Sequence, residues 1–410
     1  MDAVTGMVFM IAVLLLLGAL GEYIFTRSGI PDVIWLVAAG IVAGPMLNII
    51  QPEMFKPIIP FFGAVALVSI LAGGGVKLRI SEVTEAAPRA FLLGISGFLL
   101  TLVAFCLFAY IATNLGIIKP VSFATWIMAG AILGGTSSLV IIPTMAGGNI
   151  AKKVARLLEV ESCVTDALCV VVTMMMIDLI LKGNFTLGAP IEALVMAVGI
   201  GIIIGIAGAV ALFPLNAPLL GNPHAYTVYL AGFLIIYGVA QLFGGNGALS
   251  VLTAALLIGN SEEILRKLSV KKFSDKQFVK NNVALALHDQ MSFFIKSFFF
   301  FLIGLMFPTS PKMILLGLVF TVFMIVFRVP AVLIATKGAG FTFQQKMLIT
   351  TAIPRGMAAG VLSALPVYYG VPGVGNLSQG VFSAIVFSIL AFTLGFSIVK
   401  RFDKLEEMRN

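Results

Sequence analysis

Apolar runs of about 20 residues recur along the whole chain, and this pattern leaves it few ways to fold. A helix of that length crosses the hydrocarbon core of a bilayer, where each backbone N–H and C=O must be bonded within the segment. Thirteen such runs can be delimited, at about 5–26, 31–49, 57–76, 88–114, 121–146, 157–181, 189–214, 224–243, 245–261, 285–307, 312–336, 343–370 and 376–400. The connections between them are short and often marked by Gly or Pro, as at Gly29 and Pro31, Gly221 and Pro223, and Pro308 and Pro311. The expected fold is an all-α polytopic membrane protein with thirteen transmembrane helices, forming one membrane domain over 1–410. Composition excludes a soluble globule, because 60% hydrophobic and 11% charged residues leave too little polar surface to cover one. The first run lacks the basic leader and cleavage pattern of a signal peptide and is expected to be retained.

A net charge of +8 raises the question of nucleic acid, but the basic residues sit in short connections between spans. Alternate connections carry 19 and 4 Lys or Arg, and three more, Lys296, Arg328 and Arg355, fall inside spans. Under the positive-inside rule this places the C-terminus in the cytoplasm and the N-terminus outside, in the plasma membrane, with lipid as partner and no nucleic acid. Cys106, Cys163 and Cys169 all lie in apolar runs and are read as packing residues. Neither a disulfide framework nor a metal-ligand spacing is present.

Thirteen spans divide into six, one linker and six: 1–182, 183–222 and 223–402. A single linker span reverses the second six, which is the arrangement of an inverted-topology repeat. The fifth span of each half shares an oddity. ILGGTSSLVIIP carries Gly134, Gly135 and Pro143, and ITTAIPRGMAAG carries Pro354, Gly356 and Gly360. Small residues in one span alone read as close helix packing. Breakers at matching positions in both halves instead predict two crossing broken helices, whose freed carbonyls and dipole ends can meet an ion.

The sixth span, LLEVESCVTDALCVVVTMMMIDLIL, carries Glu159, Glu161 and Asp166. A carboxylate in hydrocarbon is costly, so it is expected to face protein or water and to bind something. Asp166 lies roughly 14 Å in from the cytoplasmic start, close to mid-membrane. Arg328 lies roughly 12 Å from the same face, within reach of Glu161, which suggests a structural ion pair. Arg355 is roughly 18 Å in, where it can compensate helix ends at the break. Ser162 shares a helix face with Asp166, and Thr136, Ser137 and Ser138 add hydroxyls at the break. Hard monovalent cations take oxygen ligands of this kind. A carboxylate that holds either a proton or a metal ion, never both, yields exchange directly. Lys296 is read as neutralising a carboxylate, with snorkelling or proton release as alternatives. Glu22, Asp178 and Glu192 read as interfacial, and His224 and His288 as polar groups near membrane boundaries, with pH sensing an alternative for His288.

The motif ESCVTDALCVVV resembles the Glu-Ser-x-x-Asn-Asp motif of sodium–proton exchangers in the monovalent cation:proton antiporter superfamily. GIPDVIWLVAAGIVAGP, FFFFLIGL, IVFRVPAVL and IPRGMAAGVLSALP are similar to that family's second, tenth, eleventh and twelfth spans, in order. The resemblance implies that Asp166 carries the ion, that Glu161 and Arg328 form the stabilising pair, and that Thr136, Ser162 and Thr165 lie at ligand positions. It also implies a homodimer in which a core bundle, approximately 88–182 and 312–402, rocks against a dimerisation bundle, approximately 1–76 and 224–307. Three departures stand out: Thr165 replaces the usual Asn, Ser137 replaces an Asp common in the sodium-type branch, and Lys296 replaces an acid. One carboxylate with an Arg in span eleven resembles the electroneutral branch.

The expectation is therefore a secondary antiporter without cofactors, exchanging Na+ for H+, with Li+ or K+ as alternative cations. A potassium-efflux type K+/H+ antiporter and a sodium-coupled organic-anion symporter share the architecture, although the carboxylate-centred site argues against the latter. A channel needs a continuous polar pore, an intramembrane enzyme needs a paired nucleophile and base, and an ATP-driven pump needs a phosphate loop; none of these patterns is found.

Overall fold

The computed structural model describes the chain except residues 1–10, 14, 22, 25–30, 51–58, 78, 117–121, 138–139, 142–143, 146–151, 183–187, 216–224, 262, 265–281 and 408–410. Glu22, Ser138, His224, the whole basic 266–280 connection and much of the first expected span lie outside the described residues. All regular structure among the described residues is helical. In chain order the helices are α1 (Asp32–Ile41), α2 (Ile59–Lys77), α3 (Ile80–Asn114), α4 (Phe123–Ile132), α5 (Lys152–Lys182), α6 (Gly188–Leu212), α7 (Ala225–Leu242) and α8 (Gly247–Gly259), then α9 (Asn282–Leu305), α10 (Pro311–Thr336), α11 (Phe343–Thr351), α12 (Met357–Tyr368) and α13 (Gly375–Glu407). Six stretches are long and apolar enough to span a bilayer: Pro88–Asn114, Lys153–Leu181, Val195–Leu212, Ala225–Leu242, Pro311–Thr336 and Leu377–Val399. Shorter apolar helices include Phe123–Ile132 and Ala358–Tyr368, which are pieces of the two interrupted spans. This is an all-α polytopic membrane protein.

Local chemistry explains where several helices begin and end. Pro45 cannot supply an N–H to the ladder, and α1 gives way to a π-helical turn at Val42–Met46. Asn246 caps α8 by accepting the Leu249 N–H at 2.7 Å. Thr342 and Gln345 form a reciprocal capping box at the start of α11. Two helices run further than their apolar stretches. α3 starts at Ile80, ahead of the run at Pro88, and α13 continues past Lys400 to Glu407. Hydropathy delimits the part in lipid, whereas helix propensity carries the polar ends beyond it.

Packing divides the chain into two units. One comprises Met1–Pro60, Ala86–Gly183 and Lys296–Asn410; the other comprises Phe61–Glu85 and Asn184–Ile295. In the first, α13 lies against α10, α11 and α12, while α5 lies against α4 and α12. Phe105, Phe108, Trp126, Phe320 and Phe323 form an aromatic cluster with centroid separations of 4.6–6.3 Å. Lipid is as apolar as these rings, so van der Waals fit and edge contacts of about 0.5–1.5 kcal/mol each hold them, more than water exclusion. In the second unit, α8 packs on α6 through glycines: a Cβ at Gly201 would come 2.8 Å from the Asn246 carbonyl oxygen. His288 is buried here, 3.2 Å from Ser292 Oγ and 5.6 Å, ring to ring, from Tyr226.

Candidate ion-binding site

α4 stops at Ile132 because Leu133 and the glycines after it leave the helical region; Gly134–Ser137 are non-helical, and helix resumes at Val140. α11 stops at Thr351, Ala352–Gly356 are irregular, and α12 begins at Met357. Pro354 explains this second break, since it lacks the N–H that a continuing helix needs. The two interrupted stretches meet. The Ser137 N–H donates to the Pro354 carbonyl at 2.9 Å, and the Arg355 guanidinium donates to the Gly135 carbonyl. At Gly356 the contact is so close that a Cβ would lie 2.5 Å from Ser137 Cβ. Gly356→Ala is expected to lower stability by about 1–3 kcal/mol through overpacking. An unchanged thermal unfolding midpoint would show that the crossing relaxes freely.

α5 supplies the third wall. Ser162 Oγ donates to the Thr136 carbonyl at 2.8 Å, the Thr136 N–H donates to Thr165 Oγ1 at 3.3 Å, and Thr165 Oγ1 donates to the Ser162 carbonyl at 3.2 Å. These bonds tie the freed backbone of the first break to one face of α5. The open side of Gly135 looks onto that face: a Cβ there would lie 2.8 Å from Cys169 Sγ and 3.4 Å from both Asp166 Oδ1 and Thr165 Oγ1. Thr136 Oγ1 is buried without a hydrogen-bond partner among the described residues. An orphan oxygen of this kind costs about 1–3 kcal/mol unless something occupies it. Asp166 is only half-buried, whereas Thr136, Ser162 and Thr165 are fully buried. The arrangement is a carboxylate backed by hydroxyls and non-helical carbonyls, and it suits a small hard cation or a proton.

Charges around the site are placed individually. Arg328 holds Glu161 in a two-pronged ion pair, with Nη1–Oε1 and Nη2–Oε2 both at 2.8 Å, and its Nε donates to the Ile349 carbonyl at 2.9 Å. Gly94 on α3 makes room for this pair, its open side 3.6 Å from Glu161 Cγ. Arg355 is 2% exposed; its N–H donates to Ser388 Oγ at 2.9 Å, and its Nε contacts Met324 Sδ at 3.2 Å. Its bond to Gly135 sets positive charge beside the carbonyl end of α4, where the helix dipole favours it. Lys296 lies 2.5 Å from Asp32 Oδ2, an acid that the sequence reading passed over. Glu159 is half-buried on α5, seven residues before Asp166 and on the same helix face two turns away. Asp32, Ser388 and Met324 escaped the sequence reading, and Cys169 was read only as a packing residue. Only Asp32 left a usable signal, because a lysine within a span requires an acid somewhere near it.

The family model described as "Sodium/hydrogen exchanger, transmembrane" matches residues 11–401. The chain belongs to the sodium/hydrogen exchanger family. Within that family it is 24% identical over 391 residues to the K+/H+ antiporter NhaP2 of Shewanella oneidensis, covering 93% of this chain and 64% of that protein. It is 30% identical over 192 residues to Na+/H+ antiporter 1 of Methanocaldococcus jannaschii, covering 47% of this chain and 44% of that protein. The match thus spans less than two thirds of either relative's length. The fold is that of the solved sodium proton antiporter MjNhaP1 from Methanocaldococcus jannaschii, with a TM-score of 0.78 at 20% identity over 97% of this chain and 98% of that one. For an exchanger-family chain, the crossing of the two breaks beside Asp166 is the feature with chemical capacity.

Proposed function

We propose that this protein is a secondary antiporter that exchanges one monovalent cation for one proton across the membrane, with Na+ the main cation and Li+ and K+ the alternatives. The observation that carries this reading is the half-buried Asp166 beside the crossed breaks, within reach of Thr165 and the open side of Gly135. The carboxylate takes either a proton or a cation, and either one neutralises it. A bare carboxylate crossing the low-dielectric centre is penalised, so the loaded forms move and the empty one does not; this couples the two fluxes. Thr136, Ser137, Ser162 and Thr165 supply oxygen atoms around the cation. Glu161 is already paired with Arg328 and adds no second transported charge. One acid therefore gives one cation per proton, an electroneutral cycle that requires neither cofactor nor enzymatic chemistry.

The moving core is taken as approximately 88–182 and 312–402, and the stationary dimerisation bundle as approximately 1–76 and 224–307, in a homodimer. The repeats are 1–182 and 223–402, joined by 183–222. The surplus of Lys and Arg on alternate connections supports a plasma-membrane orientation with the N-terminus outside and the C-terminus in the cytoplasm. Names of relatives support both Na+ and K+ as cargo.

The test uses proteoliposomes with an internal pH dye. Na+, Li+ and K+ added in turn should each report, by the size of the dye response, how well that cation dissipates an imposed pH gradient. No response to any of the three would remove the proposal. Competition sets the sign of the pH dependence: acidification fills Asp166 with protons and raises the apparent KM for the cation, leaving the maximal rate reachable at higher cation concentration. A KM that stays constant across pH would show that the two ions do not share one carboxylate.

A further inference from the structure

Lys296 stands apart from the site chemistry, and its surroundings suggest a different task. It lies on α9 within FFIKSFFFFLIGL, a stretch whose other residues are almost all apolar. Instead it reaches the first turn of α1, where its Nζ is 2.5 Å from Asp32 Oδ2. Both side chains are largely buried.

Further along, the same two helices touch backbone to backbone. A Cβ on Gly40 would lie 2.8 Å from Gly304 Cα, a Cβ on Gly304 would lie 2.8 Å from Gly40 Cα, and Gly44 abuts Leu305. Asp32 precedes Gly40 by the same interval that separates Lys296 from Gly304, so α1 and α9 run parallel and in contact for roughly 12 Å. On an adjoining stripe, α9 meets the second broken span. A Cβ at Gly360 of α12 would come 2.6 Å from Phe299 Cε1 and 3.2 Å from Ile303 Cδ1. Gly360 lies one turn beyond Gly356, where α12 leaves the crossing.

We propose that Asp32 and Lys296 are positioning residues for the exchange, locking α1 and α9 into a single strut that seats the broken helix α12 at the ion site. A glycine-on-glycine seam brings backbones close but holds them at one level, so register over the rest of the contact needs a second fixed point. An ion pair in low dielectric supplies that register, because a slip of one turn, about 5.4 Å, separates the charges and leaves both unpaired. Phe299 and Ile303 then meet Gly360 at one height only. The transport consequence rests on the exchange reading above, whereas the strut itself can be tested without transport.

The experiment compares Lys296→Met, the double variant Asp32→Asn/Lys296→Met, Gly360→Ala, and all three changes combined, in purified protein and in proteoliposomes. Lys296→Met strands Asp32 and is expected to lower the thermal unfolding midpoint; the double variant removes both charges and should recover it. An unchanged midpoint in Lys296→Met overturns the strut whether or not the protein transports. In proteoliposomes the refolded double variant should still show an apparent cation KM raised about three-fold or more, because register is lost even though stability is not. Its effect should also combine non-additively with Gly360→Ala, since both act on one packing unit. Wild-type KM and maximal rate in the double variant, or effects that simply multiply, would overturn the positioning role. A wild-type protein without any exchange would instead count against the function proposed above.

Discussion

Asp166→Asn protein, reconstituted with a pH dye, should leave an imposed pH gradient intact when Na+, Li+ or K+ is added. The asparagine amide has nearly the shape of the carboxylate and preserves packing against Gly135 and Thr165, where Asp166 Oδ1 lies 3.4 Å from the open side of Gly135. It carries no charge to attract a cation and cannot exchange a proton near neutral pH. The expected response is that of empty vesicles, with the folded yield unchanged. The conservative Asp166→Glu separates charge from geometry: it keeps the acid but moves its oxygens outward by one methylene, so exchange should persist at a reduced rate. A fully active Asp166→Asn protein would dispose of the mechanism, since Glu161 is engaged by Arg328 and no other acid has been placed at the crossing.

The second large effect belongs to stability. Among the described residues, Glu161→Ala leaves the buried Arg328 guanidinium with only the Ile349 carbonyl to receive it, and Arg328→Ala leaves Glu161, 1% exposed, without its ion-pair partner. Breaking a buried pair from one side costs about 3–5 kcal/mol. Each single variant should therefore show a sharply lower unfolding midpoint and a poor yield of folded protein in detergent. The double variant Glu161→Ala/Arg328→Ala should cost less than the two singles together, because the penalty in each comes mostly from the stranded partner. Normal folding and exchange in Glu161→Ala would mean that the pair does not hold α5 to α10.

These two outcomes are distinguishable because the residues, although five positions apart on α5, do different work. Asp166 is half-buried beside a break and Glu161 is closed off. That difference was partly legible beforehand. Depth estimates brought Glu161 and Arg328 to similar levels, and the structure has them 2.8 Å apart at two points. Depth alone gives no partner for Lys296, which is read as neutralising a carboxylate and is found beside Asp32. His288 looked like a boundary residue from its place near the start of a span, yet it is buried against Tyr226, Ser292 and Gly73, a packing that its position along one span does not reveal.

Everything that depended on one helix at a time could be read from the chain: the helical state of the apolar runs, the interruption of 121–146 and 343–370, and the improbability of an idle acid at Asp166. A bilayer imposes those features locally, since an unbonded peptide group or a bare charge is penalised wherever it occurs. Only the tertiary structure decided that Ser137 bonds to Pro354, that Gly135 opens towards Cys169 and Asp166, and that α1 meets α9 at Gly40 and Gly304. Those pairings join residues far apart in the chain, and they are chosen by which small side chains let two backbones approach. Hydropathy and periodicity within a single span carry no information about that choice.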